Sequence, residues 1–193
     1  MKTTIYFVRH GIAPFSLEQE KTSGGARLNE QGQADAQRVA TLLEDKRIDV
    51  IVSSSHHRAR ETVLPLAELL HKDIILYNEL IERPIATLNE AISEEELIKA
   101  IERSFTDKDY CMPEGETTRQ AQERAMPVIF KLLSDYQGKR MVIGTHGNIM
   151  TIIMNYFDSN YGFNFWQQTS KPDIYEVEFE DKQLISVQRL WDC

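Results

Sequence analysis

Three apolar runs in this chain end in side chains that can do chemistry. The run 3–8 ends at Arg9-His10-Gly11, the run 49–54 leads into Ser55-His56-His57-Arg58-Ala59-Arg60-Glu61-Thr62, and the run 140–145 leads into His146-Gly147-Asn148. An imidazole keeps a usable lone pair near neutral pH. A guanidinium carries a permanent charge and a planar fork of donors that matches oxyanions. Two histidines and at least two arginines brought to one place suit work on an anion such as a phosphoryl group. Gly11 and Gly147 follow the histidines, where a tight strand-to-helix turn benefits from a missing Cβ.

Those side chains need a scaffold that aligns the ends of the runs. The three runs, with DIILYN at 73–78, read as short, near-continuous apolar strands, the pattern of a parallel sheet covered on both faces. Helical patterns lie between them. Asn29 is a plausible N-cap before AQRVATLLE, and a second helix spans roughly 57–71. Ser93-Glu-Glu-Glu96 and Thr117-Thr-Arg-Gln120 read as capping boxes, opening helices to about Ser104 and Tyr136. The tail DIYEVEFE-DK-QLISVQRL reads as a β-hairpin. The alternation predicts an α/β fold: a three-layer α/β/α sandwich with a doubly wound, mostly parallel sheet and a C-terminal antiparallel hairpin. Segment 83–115 breaks the rhythm and is expected to be a helical lid inserted into one domain spanning 1–193. Open sheets of this kind bind ligands at the carboxyl ends of their strands, where both histidines fall.

The 193 residues are 41% hydrophobic and 27% charged, as expected of a globular domain with a full core. The net charge is −8, with no cluster of Lys and Arg, which argues against a nucleic-acid partner. No apolar run approaches the roughly 20 residues that span a bilayer, so no membrane partner is expected. The N-terminus shows no secretory leader pattern, and Cys111 and Cys193 read as free thiols, so a cytoplasmic location is expected. The overall negative field repels phosphate esters, and any anion site must be built locally from arginines and backbone amides.

The motifs together resemble the histidine phosphatase superfamily, also called the phosphoglycerate mutase family, over nearly the whole chain. FVRHG is similar to its first-strand signature, and LNEQGQADAQ at 28–37 to its L-T-x-x-G-x-x-Q-A helix start. SSSHHRARET matches S-S-x-x-x-R-A-x-x-T, GTHGN the distal histidine motif, and PEGETTRQAQER at 113–124 the P-x-G-E-S segment. The resemblance implies that His10 attacks phosphorus and becomes a phosphohistidine, with no metal and no organic cofactor. Arg9 and Arg58 would grip the non-bridging oxygens, and His146 would donate to the transferring group. The leaving alkoxide needs a proton, and Glu82 in Leu80-Ile81-Glu82-Arg83 fits the family's acid, with Glu79 as the alternative. Further substrate contacts fall to Ser16, Gly147 and Arg83. Two stretches depart from the family: Ile12-Ala13-Pro14-Phe15-Ser16, where Ser16 replaces a phosphate-contacting Asn, and the run from Glu82 to Leu88, which lacks the family's aromatic and glycine.

Plainer readings hold elsewhere. Adjacent side chains such as His56 and His57 point in different directions, and no partner has metal-ligand spacing. Ser53, Ser54 and Ser55 lack a G-x-S-x-G elbow. His71 and the acidic run Glu94–Glu96 suit helix ends, and Arg60 and Arg124 read as surface or ion-pair residues.

The leading expectation is a phosphomonoesterase acting on a small phosphorylated substrate. The alternatives are a phosphoglycerate mutase and a weakly active phospho-ligand-binding member of the family. A mutase must also clamp a carboxylate. Segment 83–115 offers four basic residues (Arg83, Lys99, Arg103, Lys108) against eight acidic ones, with no Arg-Arg pair. Phe15, Ile85, Leu88, Tyr110 and Met112 suggest a partly apolar leaving group, and a homodimer using the hairpin with Trp166 and Trp191 is a possible assembly.

Overall fold

The computed structural model describes residues 1–14, 24–86 and 92–192. Its sheet is built from β1 (Lys2–Arg9), β2 (Val50–Ser54), β3 (Ile74–Tyr77), β4 (Arg140–Thr145), β5 (Asp173–Glu180) and β6 (Gln183–Arg189). The order across the sheet is β3-β2-β4-β1-β5-β6. The first four of these are mutually parallel, and β5 runs antiparallel to both β1 and β6. The mixed α/β fold and the mostly parallel sheet are those expected from the alternation of runs.

Alternation along β1 shows how the layers form. Tyr6 and Val8 pack on one face, with Val39, Leu43, Val63 and Leu66 from α1 (Glu30–Leu43) and α2 (His57–Leu69). Ile5 and Phe7 pack on the other, with Ile129, Leu132, Ile149 and Ile152. Those come from α4 (Thr118–Asp135) and α5 (Gly147–Phe157), while α3 (Glu94–Thr106) lies between β3 and α4 in the chain. A strand with period two feeding apolar side chains to both faces is what a doubly covered sheet requires.

The helix starts are those the capping residues announce. Asn29 accepts from the Gly32 amide, and the Ser93/Glu96 and Thr117/Gln120 boxes are both closed. A short α6 (Phe163–Gln168) has no sequence expectation behind it. It stacks Phe163 on Trp166 and joins a small satellite core made by Ile85, Ala86, Ala100 and Ile101.

That satellite core corrects one expectation. Ile85, Tyr110 and Met112 belong to it and hold the 83–115 segment together rather than lining a leaving-group pocket; Phe15 and Leu88 lie outside the described residues. Trp191 is buried in the α1–α2 core beneath the Arg38 guanidinium. Among the described residues, no helix is long and apolar enough to cross a membrane.

Register fixes what meets at the sheet end. Arg9 is level with Thr145 on β4 and with Asp173 on β5, and Ser53 is level with Gly144. The residues that follow, His10 and His146, leave adjacent parallel strands at the same height.

Candidate active site

His10 and His146 meet edge to face, their ring centroids 5.2 Å apart, and His56 sets its ring 5.4 Å from His146. His10 Nδ1 lies 2.7 Å from the Gly11 carbonyl. A carbonyl only accepts, so Nδ1 carries the hydrogen and neutral His10 keeps its lone pair on Nε2. The Gly11 amide in turn donates to Thr62 Oγ1, which donates to the Arg58 carbonyl. The threonine of SSSHHRARET thus ties the His10 loop to the helix that carries Arg58. His146 Nε2 lies 2.8 Å from Ser54 Oγ, so that serine orients a histidine.

Charge and burial bias both rings toward the neutral form. Burial, then the Arg58 charge, hold His10 well below the usual histidine range; Arg9 and Lys171 push the same way, against the bond to Gly11. His146 is fully buried and is also held well below that range, by burial first and then by His10, Arg58, His56 and Arg9. The Arg9 guanidinium donates through Nη1 to the carbonyl and hydroxyl of Thr169. Burial lowers its proton affinity, opposed by the charges of Glu82 and Asp173. Arg9 Nε and His146 Nδ1 are buried and have no hydrogen-bond partner. Unpaired buried polar atoms are costly unless a ligand meets them.

Gly147 has a spatial reason rather than a conformational one. Its φ is not positive, but a Cβ there would stand 2.6 Å from Arg9 Cζ. The missing side chain is the room in which the Arg9 guanidinium lies against the start of α5.

Glu82 reaches the same helix end. Its Oε2 accepts from the Asn148 amide at 3.0 Å, and its Oε1 accepts from the Ile149 and Arg83 amides at 2.8 and 2.9 Å. The carboxylate therefore occupies the second and third amides of α5. Glu79 is exposed, and its carbonyl is held by Arg124. Arg124 also pairs with Glu116 and holds the Ile81 carbonyl, bracing the turn before Glu82.

Arg83 does not face the site. It is 2% exposed, and its guanidinium donates to Ser104 Oγ and Asn148 Oδ1, with burial lowering its pKa to about 10. It pins α3 to α5 and is not a substrate contact. Ser16 lies outside the described residues.

Two contributors come from a stretch that sequence reasoning passed over, Thr169 and Lys171. Lys171 has its proton affinity lowered by partial burial and then by the Arg9 and Arg58 charges, against Glu82. Only the position of this stretch, immediately before the strand paired with β1, could have signalled it. Among the described residues, no three His, Cys, Asp or Glu side chains gather in a way that could hold a metal ion.

The arrangement thus joins a histidine lone pair, two buried guanidiniums, a second histidine with an unpaired ring nitrogen, and a carboxyl group. A family model described as the histidine phosphatase superfamily, branch 1, matches residues 5–191. The uncharacterized phosphatase PhoE of Bacillus subtilis is 27% identical over 146 residues, covering 75% of this chain and 72% of that protein. A probable phosphoglycerate mutase, GpmB of Escherichia fergusonii, is 28% identical over 148 residues, covering 74% and 69%. In fold, the chain superposes on a mycobacterial glucosyl-3-phosphoglycerate phosphatase with a TM-score of 0.75 at 16% identity, covering 98% of this chain and 97% of that one.

Proposed function

The chain belongs to the histidine phosphatase superfamily, and on that footing we propose that it is a metal-independent phosphomonoesterase that hydrolyses a small phosphorylated metabolite through a phosphohistidine on His10. The observation that carries this reading is the Nδ1–Gly11 hydrogen bond, which leaves Nε2 as the attacking atom between buried cations. Nε2 forms a bond to phosphorus as the ester P–O bond breaks. Arg9, Arg58 and His146 take up charge on the non-bridging oxygens. Glu82 gives its proton to the departing alkoxide, Oε2 having only one amide bond and a lone pair to spare. Water then attacks phosphorus, Glu82 takes its proton, the N–P bond breaks, and inorganic phosphate leaves with His10 restored.

The lid cations support a phosphatase over a mutase. Arg83 is buried among Ser104 and Asn148, Lys99 pairs with Glu95, and Arg103 lies over Tyr110, so these three are already committed to partners within the protein. The same reading assigns the enzyme to the cytoplasm, where Cys111 remains a free thiol.

The deciding experiment is hydrolysis of p-nitrophenyl phosphate by wild type and His10→Ala, both in excess EDTA. Activity in wild type that is lost in the variant, with an acid-labile phosphoryl group trapped on His10, is the expected result. Equal activity in both proteins removes His10 as nucleophile. Interconversion of 2- and 3-phosphoglycerate faster than phosphate release makes the enzyme a mutase.

A further inference from the structure

His10 and His146 are neighbouring histidines with opposite tasks, and neither ring decides its own tautomer. A neutral imidazole carries one hydrogen, so one nitrogen donates and the other accepts. For His10 the Gly11 carbonyl settles the matter, because it only accepts and so holds the hydrogen on Nδ1. For His146 the partner is the Ser54 hydroxyl, 2.8 Å from Nε2, and a hydroxyl can give or take. Which of the two it does follows from the other bonds around it.

Ser54 closes β2 and is fully buried, as is His146. Its Oγ accepts from the His56 amide at 3.3 Å. Apart from that amide, which has nothing to accept with, the hydroxyl meets only His146 Nε2 among the described residues. If Nε2 carried the hydrogen, Oγ would accept twice and its own hydrogen would be buried without an acceptor. His146 Nδ1 would then be a lone pair, also buried and unmet. Unmet buried groups cost about 1–3 kcal/mol each. If Ser54 donates to Nε2 instead, every bond around the hydroxyl is made and the hydrogen of His146 stands on Nδ1. That N–H alone lacks a partner, and a bound anion can supply one. Burial first, and then His10, Arg58, His56 and Arg9, keep the ring neutral, so the two nitrogens are not both protonated.

We propose that Ser54 is a positioning residue that fixes the tautomer of His146, keeping the hydrogen on Nδ1 so that this nitrogen donates to an oxygen of the transferring phosphoryl group. The proposal rests on the phosphatase reading and adds a residue to it. Both histidines are then Nδ1–H tautomers that use opposite nitrogens. His10 offers the Nε2 lone pair to phosphorus, and His146 offers Nδ1–H to oxygen.

The test reads the tautomer directly. Long-range proton–nitrogen spectra of the whole protein at slightly alkaline pH, with His146 assigned by comparison with His146→Gln, distinguish a protonated ring nitrogen from a bare one. Wild type should show Nδ1 protonated and Nε2 bare; a hydrogen on Nε2 overturns the proposal without any change at Ser54. In Ser54→Ala nothing holds either form, so the two should mix. There kcat/KM on p-nitrophenyl phosphate should fall roughly three- to tenfold, the equivalent of one neutral hydrogen bond. Ser54→Thr keeps the hydroxyl and should restore both the Nδ1–H form and most of the rate. A rate loss with His146 still fully Nδ1–H, or a mixed ring with an unchanged rate, refutes the role. In a His146→Gln background, Ser54→Ala should cost nothing further, because Ser54 acts through His146. A further loss as large as in wild type would mean that Ser54 acts elsewhere, and the proposal falls. If wild type hydrolyses no phosphate ester, the phosphatase reading fails separately. The spectra and the affinity for vanadate, which need no turnover, then decide the role of Ser54 by themselves. Nδ1–H in wild type, with affinity lost in Ser54→Ala and regained in Ser54→Thr, supports it; Nε2–H or an unchanged affinity refutes it.

Discussion

Replacing Gly147 with alanine isolates the grip on the phosphoryl group from the groups that react. The new Cβ would stand 2.6 Å from Arg9 Cζ, 2.7 Å from Nε and 2.9 Å from Nη2. Ordinary contact between such atoms begins near 3.5 Å, so the guanidinium must withdraw by about 0.9 Å. That movement pulls Nη1 from Thr169 and Nε from the place where a phosphoryl oxygen would meet it. A misplacement of about 1 Å costs on the order of a hundredfold in rate, about 2.7 kcal/mol of transition-state binding. The backbone accepts alanine, because φ is not positive and the first turn of a helix favours alanine over glycine by roughly 0.5–1 kcal/mol. That gain offsets much of the lost Thr169 anchorage, and the melting temperature should stay within about 4 °C of wild type. The assay is kcat/KM on p-nitrophenyl phosphate alongside the affinity for vanadate, which mimics the transferring group; both should fall together. Activity within threefold of wild type would mean that Arg9 does not hold the phosphoryl group from this position. A fall in melting temperature above about 10 °C would make Gly147 a structural residue and refute the reasoning differently.

Glu82→Gln keeps the shape of the carboxyl group but has no proton to give, so an alkyl phosphate should slow by about a hundredfold or more and p-nitrophenyl phosphate far less; equal slowing of both would remove the general-acid role. Arg83→Met leaves Ser104 and Asn148 without their buried donor, and should cost about 2–3 kcal/mol in denaturant melts while KM changes less than threefold. A tenfold rise in KM at unchanged stability would return Arg83 to the substrate. The acid limb of kcat/KM should fall well below pH 6.5, because burial and Arg58 hold His10 neutral there. The same depression makes stability decline as pH falls below about 6.5: unfolded histidines bind protons first, and each buried one contributes a slope approaching 1.4 kcal/mol per pH unit down to its folded pKa. His146→Gln should flatten that slope by roughly 1 kcal/mol per unit, and an unchanged slope would mean that His146 is protonated in the folded protein.

The sheet and most of the site were legible because one kind of signal specified both. The apolar runs that read as strands end at the chemical residues, and parallel pairing with Arg9 level with Thr145 turns positions 136 residues apart into neighbours. Ser54 and Thr62 lay within a motif already read, but their pairings could not be read from it; only the fold shows one orienting His146 and the other tying Gly11 to the Arg58 carbonyl. Apolar residues were ambiguous for another reason. Ile85, Tyr110 and Met112 fill the core of their own segment, and a pattern cannot distinguish a pocket wall from a small core.

Arg83 and Lys171 show why the remaining charges were misjudged. Arg83 adjoins Glu82 in sequence, and adjacency suggested a shared task. In extended backbone, successive side chains leave on opposite sides. Glu82 turns to the start of α5 and Arg83 into the packing beneath α3. Lys171 stands far from every motif and next to a proline, yet the antiparallel pairing of β5 with β1 brings its stretch to Arg9. The cations beside the nucleophile have two effects. The charges of Arg9 and Arg58 that would hold a phosphate anion also disfavour protonation of His10, so a stronger grip on substrate and a readier nucleophile come from one electrostatic field rather than competing for it.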